Sequence, residues 1–201
     1  MISKKSMICI SVVAVFIAYS SAALARCIGL TELEGNWMIL QGEQLFDNKT
    51  KALAIVQDLE SGKTTLEALL KDQKEPSGFY GEMLFMPNGM MRMLVSMPQP
   101  NPPMTVTMKT TANWQLNCDK LMVQMVTIDQ FDMVADEANV PADQRAQLKK
   151  ALNDMKGAMK AQAEADPSFK EVQTSKLLFV GEKFMLTEEN KTGMLSLMER
   201  K

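Results

Sequence analysis

Histidine is absent from all 201 residues. That removes Ser-His-Asp and Cys-His nucleophile systems, and any histidine-ligated zinc or iron site. There is no glycine-rich phosphate loop, no internal repeat and no low-complexity tract. Basic residues form no patch, so nucleic acid and anionic membrane surfaces are poor candidate partners. Long apolar runs are missing too. The longest, MICISVVAVFIAY at Met7 to Tyr19, is too short to span a bilayer comfortably. Cysteine is scarce, with only Cys9, Cys27 and Cys118.

The single apolar run sits where an export signal would. Lys4 and Lys5 precede it, and Ala23-Leu24-Ala25 follows with the small-x-small pattern of a cleavage site. Residues 1–25 are therefore expected to be a cleaved signal peptide, with an uncleaved anchor as the alternative. Arg26 before Cys27 argues against lipid attachment, which wants a small residue there. The mature chain would be 26–201, one domain with a sizeable core. Without Lys4 and Lys5 its 22 basic residues become 20 against 24 acidic ones, a net charge near −4. Cys27 and Cys118 would remain as an even pair in an oxidising compartment. They are expected to form a disulfide, worth on the order of 4 kcal/mol in the chain-entropy model. Two buried free thiols are the alternative.

Hydrophobic periodicity organises the rest. Trp37 to Leu40 reads as a strand. The segment 48–73 reads as helical, with Ala52, Ile55, Val56 and Leu59 on one face, a break at Ser61-Gly62, and a capping box of Thr64 with Glu67. A strand through ALAIV competes with the first helix. From Gly78 the pattern alternates: GFYGEMLFM, an Asn88-Gly89 turn, then MMRMLVSM predict a hairpin. Pro98 to Pro103 reads as an extended proline-rich connector. MTVTMKTTANWQL is the next strand, bent near Thr110-Thr111. Asn117-Cys118-Asp119 turns the chain into KLMVQMVTIDQF. A helix is expected near 140–165, starting at Asn139 and Pro141 and ending by Asp166-Pro167. Its apolar stripe is Leu148, Leu152, Met155, Met159 and Ala163. Three short strands close the chain. About eight strands joined by short turns predict an antiparallel meander closing into a barrel, with helical insertions.

Several motifs resemble those of lipocalins and the broader lipocalin-like proteins exported by bacteria. LEGNWMI carries Gly35-x-Trp37 on the first strand. MLFMPNGMM and NWQLNCDKLMV resemble the family's hairpins, and the last strand ends in Arg200. The threonine-aspartate-tyrosine motif of the classical family is missing, and the long helix precedes the last strands instead of following the barrel. The resemblance implies a calycin-type barrel whose lumen holds a small apolar molecule. It also implies that Arg200 packs over Trp37 at the closed end as a cation–π pair, both residues structural.

Methionine is the abundant residue. Seventeen of the 19 lie beyond residue 25, and seven fall between Met86 and Met108. Residues two apart on a strand share a face. Met91, Met93 and Met97 then point inward from one strand, Met104 and Met108 from the next, Met83 and Phe85 from the one before, and Met125 from the one after. Three readings fit this lining: a filled core, a lumen for an apolar ligand, or a Cu(I) site using Met91, Met93, Met97, Met104 and Met108. Asp129, Asp132, Asp136 and Glu137 are read as negative charge preceding a helix start, not as a catalytic pair. No catalytic residue and no cofactor is expected.

The expectation is a periplasmic or secreted, non-enzymatic binding protein holding a small hydrophobic molecule. The alternatives are a periplasmic Cu(I)-binding protein and an envelope interaction or scaffold protein. For the last, a protein partner would dock on the Leu148, Leu152, Met155 and Met159 helix face.

Overall fold

Eight strands pair in chain order and close on themselves in a computed structural model that describes residues 27–40, 46, 48–71, 79–100, 103–135 and 140–201. The expected signal peptide, Asp136, Glu137 and Asn139 lie outside the described residues. A short helix α1 (Leu30–Leu33) leads into β1 (Gly35–Leu40). Helices α2 (Lys49–Glu60) and α3 (Leu66–Leu70) follow, then β2 (Tyr80–Phe85), β3 (Met90–Pro100), β4 (Pro103–Asn117) and β5 (Lys120–Ala135). After α4 (Ala142–Ala165) and a 3-10 turn (Pro167–Lys170), β6 (Gln173–Val180), β7 (Phe184–Glu189) and β8 (Leu195–Arg200) complete the barrel. Every pairing is antiparallel, and β8 returns to β1 with Trp37 opposite Arg200. The strands close on themselves as the meander predicts, with β5 running on unpaired by β6 beyond Val123.

Local chemistry explains the elements. The β2–β3 turn runs through Pro87-Asn88-Gly89, with Gly89 at φ +74°, a left-handed conformation that glycine adopts without a Cβ penalty. The amide of Gly89 donates to Met86 O (3.2 Å) and that of Met86 to Met90 O (2.9 Å), which fixes the register. Asn48 caps α2 by accepting from the Lys51 amide. For α3 the cap is Thr65, which accepts from the Ala68 amide at 3.2 Å, and not Thr64. The hydroxyl that meets the first turn belongs to the residue directly preceding it, so Glu67 falls one position early for a capping box.

Two further expectations are corrected. Pro98 to Pro103 is no separate connector, because Pro98 and Pro100 remain in β3, opposite Thr105 and Pro103. Likewise β5 runs on to Ala135, so Asp129 and Asp132 sit on a strand and not before a helix. The register between β4 and β5 skips at Lys109/Thr110, where Gln130 and Ile128 become successive partners and Asp129 is the extra residue. A bulge of this kind shifts the inward set from period two, so the continuation of the expected KLMVQMVTIDQF strand past Phe131 does not follow the alternation before it.

The core divides in three. Trp37, Phe85, Trp114, Leu33 and Met185 fill the closed end of the barrel. Helix α2 packs Ala52, Val56 and Leu59 on the outside of the wall, against Phe184, Leu186 and Leu197. This covers both faces of β7. Glu60, at the end of α2, fastens the helix to the β6–β7 turn by accepting from the amides of Glu182 (2.7 Å) and Phe184 (2.9 Å). An added Cβ at Gly181 would come within 2.5 Å of that carboxylate and push it off the turn amides. The third cluster seats α4 on β4 and β5 through Leu152, Val106, Ile128, Phe131 and Met133.

Candidate functional site: a methionine-lined lumen

Strands β5 and β6 pair over only four positions, Lys120 to Val123 against Lys176 to Gln173. Above that seam β5 and β6 diverge, and the α4 segment packs against β5. Leu148, Leu152 and Met159 pack on the β4–β5 ribbon, so the barrel itself covers most of that stripe, and Met155 alone of the four is 49% exposed. Glu164 accepts from the amide of Ile128 (3.3 Å), standing in for a missing strand partner. The Gln124 side-chain amide donates to Lys170 O (3.0 Å), tying the 3-10 turn to β5. Asp132 pairs with Lys156 of α4. The Lys156 hydrogen bond, helped by Gln130, holds the Asp132 carboxyl below its ordinary range. That is the signature of a paired surface carboxylate and gives no poised acid or base.

At the closed end, Arg200 lies over Trp37 with its guanidinium carbon 4.4 Å from the ring centroid. Trp37 Nε1 donates to Leu33 O (2.8 Å), and Arg200 Nη2 donates to Glu32 O (2.5 Å). Trp114 donates to Met90 O (3.0 Å) and meets Phe85 edge-on, with centroids 5.3 Å apart. The Cys27–Cys118 disulfide joins the chain ahead of β1 to the β4–β5 turn.

Above this floor the lumen holds a cavity of about 230 Å³. Six methionines line it: Met83, Met91, Met93, Met125, Met194 and Met198, together with Ile39, Leu121 and Val123. Met83 and Met93 face each other across β2 and β3. Met91 lies opposite Ala112, which in turn lies opposite Met125, so a small residue separates two large ones. Gly81 faces the same interior, and a Cβ there would meet Ile39 at 2.8 Å. The remaining wall, from β6, β7 and β8, is polar: Gln173, Ser175, Thr187, Glu189 and Ser196.

The structure thus brings Met83, Met91, Met93 and Met125 of the expected lining around one cavity. It places Phe85 in the floor below. Met104 and Met108 pack in the α4 cluster, and Met97 is half-buried opposite Val106. The five methionines named for Cu(I) are therefore dispersed: Met91 and Met93 line the cavity, Met104 and Met108 pack in the α4 cluster, and Met97 belongs to neither. Sequence reasoning missed Met194, Met198, Glu189 and the other polar positions. The signal was the alternation Met185, Thr187, Glu189 on β7. It was masked because Phe184 and Leu186 on the opposite face are also buried, under α2.

A larger groove, about 490 Å³, lies outside the wall between Glu82, Arg92, Lys109 and Asp129. It opens to solvent and its charges are mixed. Asp129 accepts from Thr111 (2.7 Å), while Glu82 bonds Lys201 (2.8 Å), which holds its carboxyl below the ordinary range with help from Tyr80. The lining of this groove is charged and lies on the outer face of the sheet, unlike the mostly apolar lining expected of a small-molecule site. Among the described residues no group of three or more Cys, Asp or Glu is placed to hold a metal ion, and no helix is long and apolar enough to cross a membrane.

No protein-family model matches the chain, and no curated protein sequence matches it. The class rests on architecture: a closed, mostly β, eight-stranded antiparallel barrel with helical insertions, consistent with a lipocalin-like barrel.

Proposed function

We propose that this chain is an exported, lipocalin-like, non-catalytic binding protein. Its lumen holds a compact apolar guest against the methionines. The carrying observation is a cavity in the barrel lumen with six thioethers in its wall. Methionine is unbranched and polarizable, so such a wall reshapes around an irregular guest with little rotamer strain. Binding would draw on removal of apolar surface from water, with no covalent step.

Size narrows the guest. The cavity, about 230 Å³, lies below the usual range for drug-sized ligands. A dry cavity of about 150 Å³ accepts benzene, so the guest has roughly 8 to 12 non-hydrogen atoms.

A second reading has a specific observation behind it: thioethers are soft donors, and Met83 and Met93 are direct cross-strand neighbours in the same cavity. Native mass spectrometry of the protein purified from its own envelope, before and after Cu(I) loading, separates the two. The proposal expects a small organic adduct that is lost on gentle activation. Stoichiometric Cu(I) uptake with no organic adduct would replace it by the metal reading, and neither adduct would remove both.

A further inference from the structure

The lumen has two unlike sides, and their arrangement specifies more than an apolar guest. Strands β2, β3 and β5 supply four of the six thioethers and no polar group, while all the polar groups come from β6, β7 and β8, beside Met198 of β8 and Met194 just ahead of it. The polar side is graded by depth. On β7, Met185 lies in the floor, Thr187 above it and Glu189 nearest the mouth, opposite Ser175 of β6. Gln173 stands two residues beyond Ser175, one inward step nearer the mouth. The charge therefore sits at the rim, on Glu189 beside Met194, with Thr187 and Ser196 a step below it and the apolar floor deeper still.

Among the described residues Glu189 is the only charged side chain in the cavity lining, with no lysine or arginine beside it there. Its neighbour Glu188 provides a contrast. Alternation turns Glu188 outward, where Lys49 of α2 pairs with it at 2.6 Å. Glu189 turns inward. Its Oε2 accepts from the Thr192 hydroxyl (2.6 Å), and among the described residues it forms no ion pair. A carboxylate of one sign at the mouth of a low-dielectric cleft focuses its field there and concentrates counter-ions. Partial desolvation also strengthens its attraction for a cation that carries donors.

We propose that the natural guest is a compact organic cation, a primary amine or similar ammonium on an apolar body. The body seats against Met83, Met91, Met93 and Met125, and the ammonium lies at the rim on Glu189 with Gln173 in reach. This rests on the reading of the lumen as a binding site.

The test uses a matched set of probes on the disulfide-bonded protein: benzylamine, charged at neutral pH, benzyl alcohol, its neutral isostere, and benzoate. Affinities are read by calorimetry or ligand-observed NMR for the wild type, Glu189→Gln and Glu189→Asp. Glutamine keeps an oxygen for Thr192 and removes the charge, while aspartate keeps the charge. The expected result is a preference for benzylamine over benzyl alcohol of about five- to tenfold in the wild type, with benzoate weakest. The preference should fall to near unity in Glu189→Gln and persist in Glu189→Asp. Equal binding of amine and alcohol by the wild type, or a preference that survives Glu189→Gln, overturns the cation assignment and leaves an apolar lumen standing. If none of the three probes binds, the binding function itself falls.

Discussion

Replacing Cys27 and Cys118 with serine is expected to lower the stability of the protein by about 4–5 kcal/mol, the chain-entropy value for a loop of this length. The two cysteines are 91 residues apart in sequence, and the segment between them holds β1 to β4. In the unfolded chain the bridge removes much of the freedom of that segment. In the folded chain it fastens the start of β1 to the turn that joins the two longest strands. For a domain of this size, the loss corresponds to a fall of roughly 10–15 °C in the unfolding midpoint. Cys118 sits at φ 58°, a conformation that costs a residue with a Cβ about 1 kcal/mol or more. A Cys27→Ser, Cys118→Gly pair should therefore recover part of what the double serine variant loses. Thermal unfolding with and without reductant checks both statements. Equal midpoints for the oxidised and reduced wild type would contradict the first.

Trp37→Ala is expected to be as damaging, at about 3–5 kcal/mol. Trp37 has no exposed surface, and three separate interactions converge on it: packing with the floor cluster, the indole hydrogen bond to Leu33 O, and the Arg200 guanidinium over its face. Its loss leaves Arg200 part-buried without its ring and opens the floor beneath the lumen. Trp37→Phe should cost less, because an aromatic face remains under Arg200 while the Leu33 carbonyl loses its donor, a deficit of about 1–3 kcal/mol. A double-mutant cycle of Trp37→Phe with Arg200→Met, read by urea denaturation, isolates the pair. A coupling energy of about 0.5–2 kcal/mol is expected. Strict additivity would mean that Arg200 acts through its backbone-directed hydrogen bonds to Glu32 and Glu34 alone.

The strands that alternate cleanly were legible in the sequence, and so was the methionine wall. Met83, Met91, Met93 and Met125 occupy strands with one face inward and one outward, so strand parity assigns them. The helix over 142–165 was legible for the same reason, since its apolar stripe meets one surface. Legibility failed where two surfaces compete for one strand. β7 is apolar on both faces because the barrel interior takes Met185 while α2 covers Phe184 and Leu186 from outside. No periodicity distinguishes those faces until the position of α2 is known. Met104 and Met108 illustrate the same limit from another direction. They lie on strand faces of the inward parity, but β3, β4 and β5 run on past their pairing with β2 and β6, and α4 packs on the overhang. Parity fixes which way a side chain points and leaves open what it meets there. The polar wall escaped notice because an inward Glu189 breaks the rule that interiors are apolar, and such a break is expected at a working site.

The most direct test of the central claim is an NMR titration of the protein with its methionine methyl groups labelled with carbon-13. Adding benzyl alcohol should shift the methyl signals of Met83, Met91, Met93, Met125, Met194 and Met198, the six that line the cavity. Met104 and Met108, packed beneath α4, should stay in place, as should the exposed Met155. Silence from the six lumen methyls at saturating probe, or movement confined to Met104 and Met108, would contradict the claim that the barrel interior is the binding site.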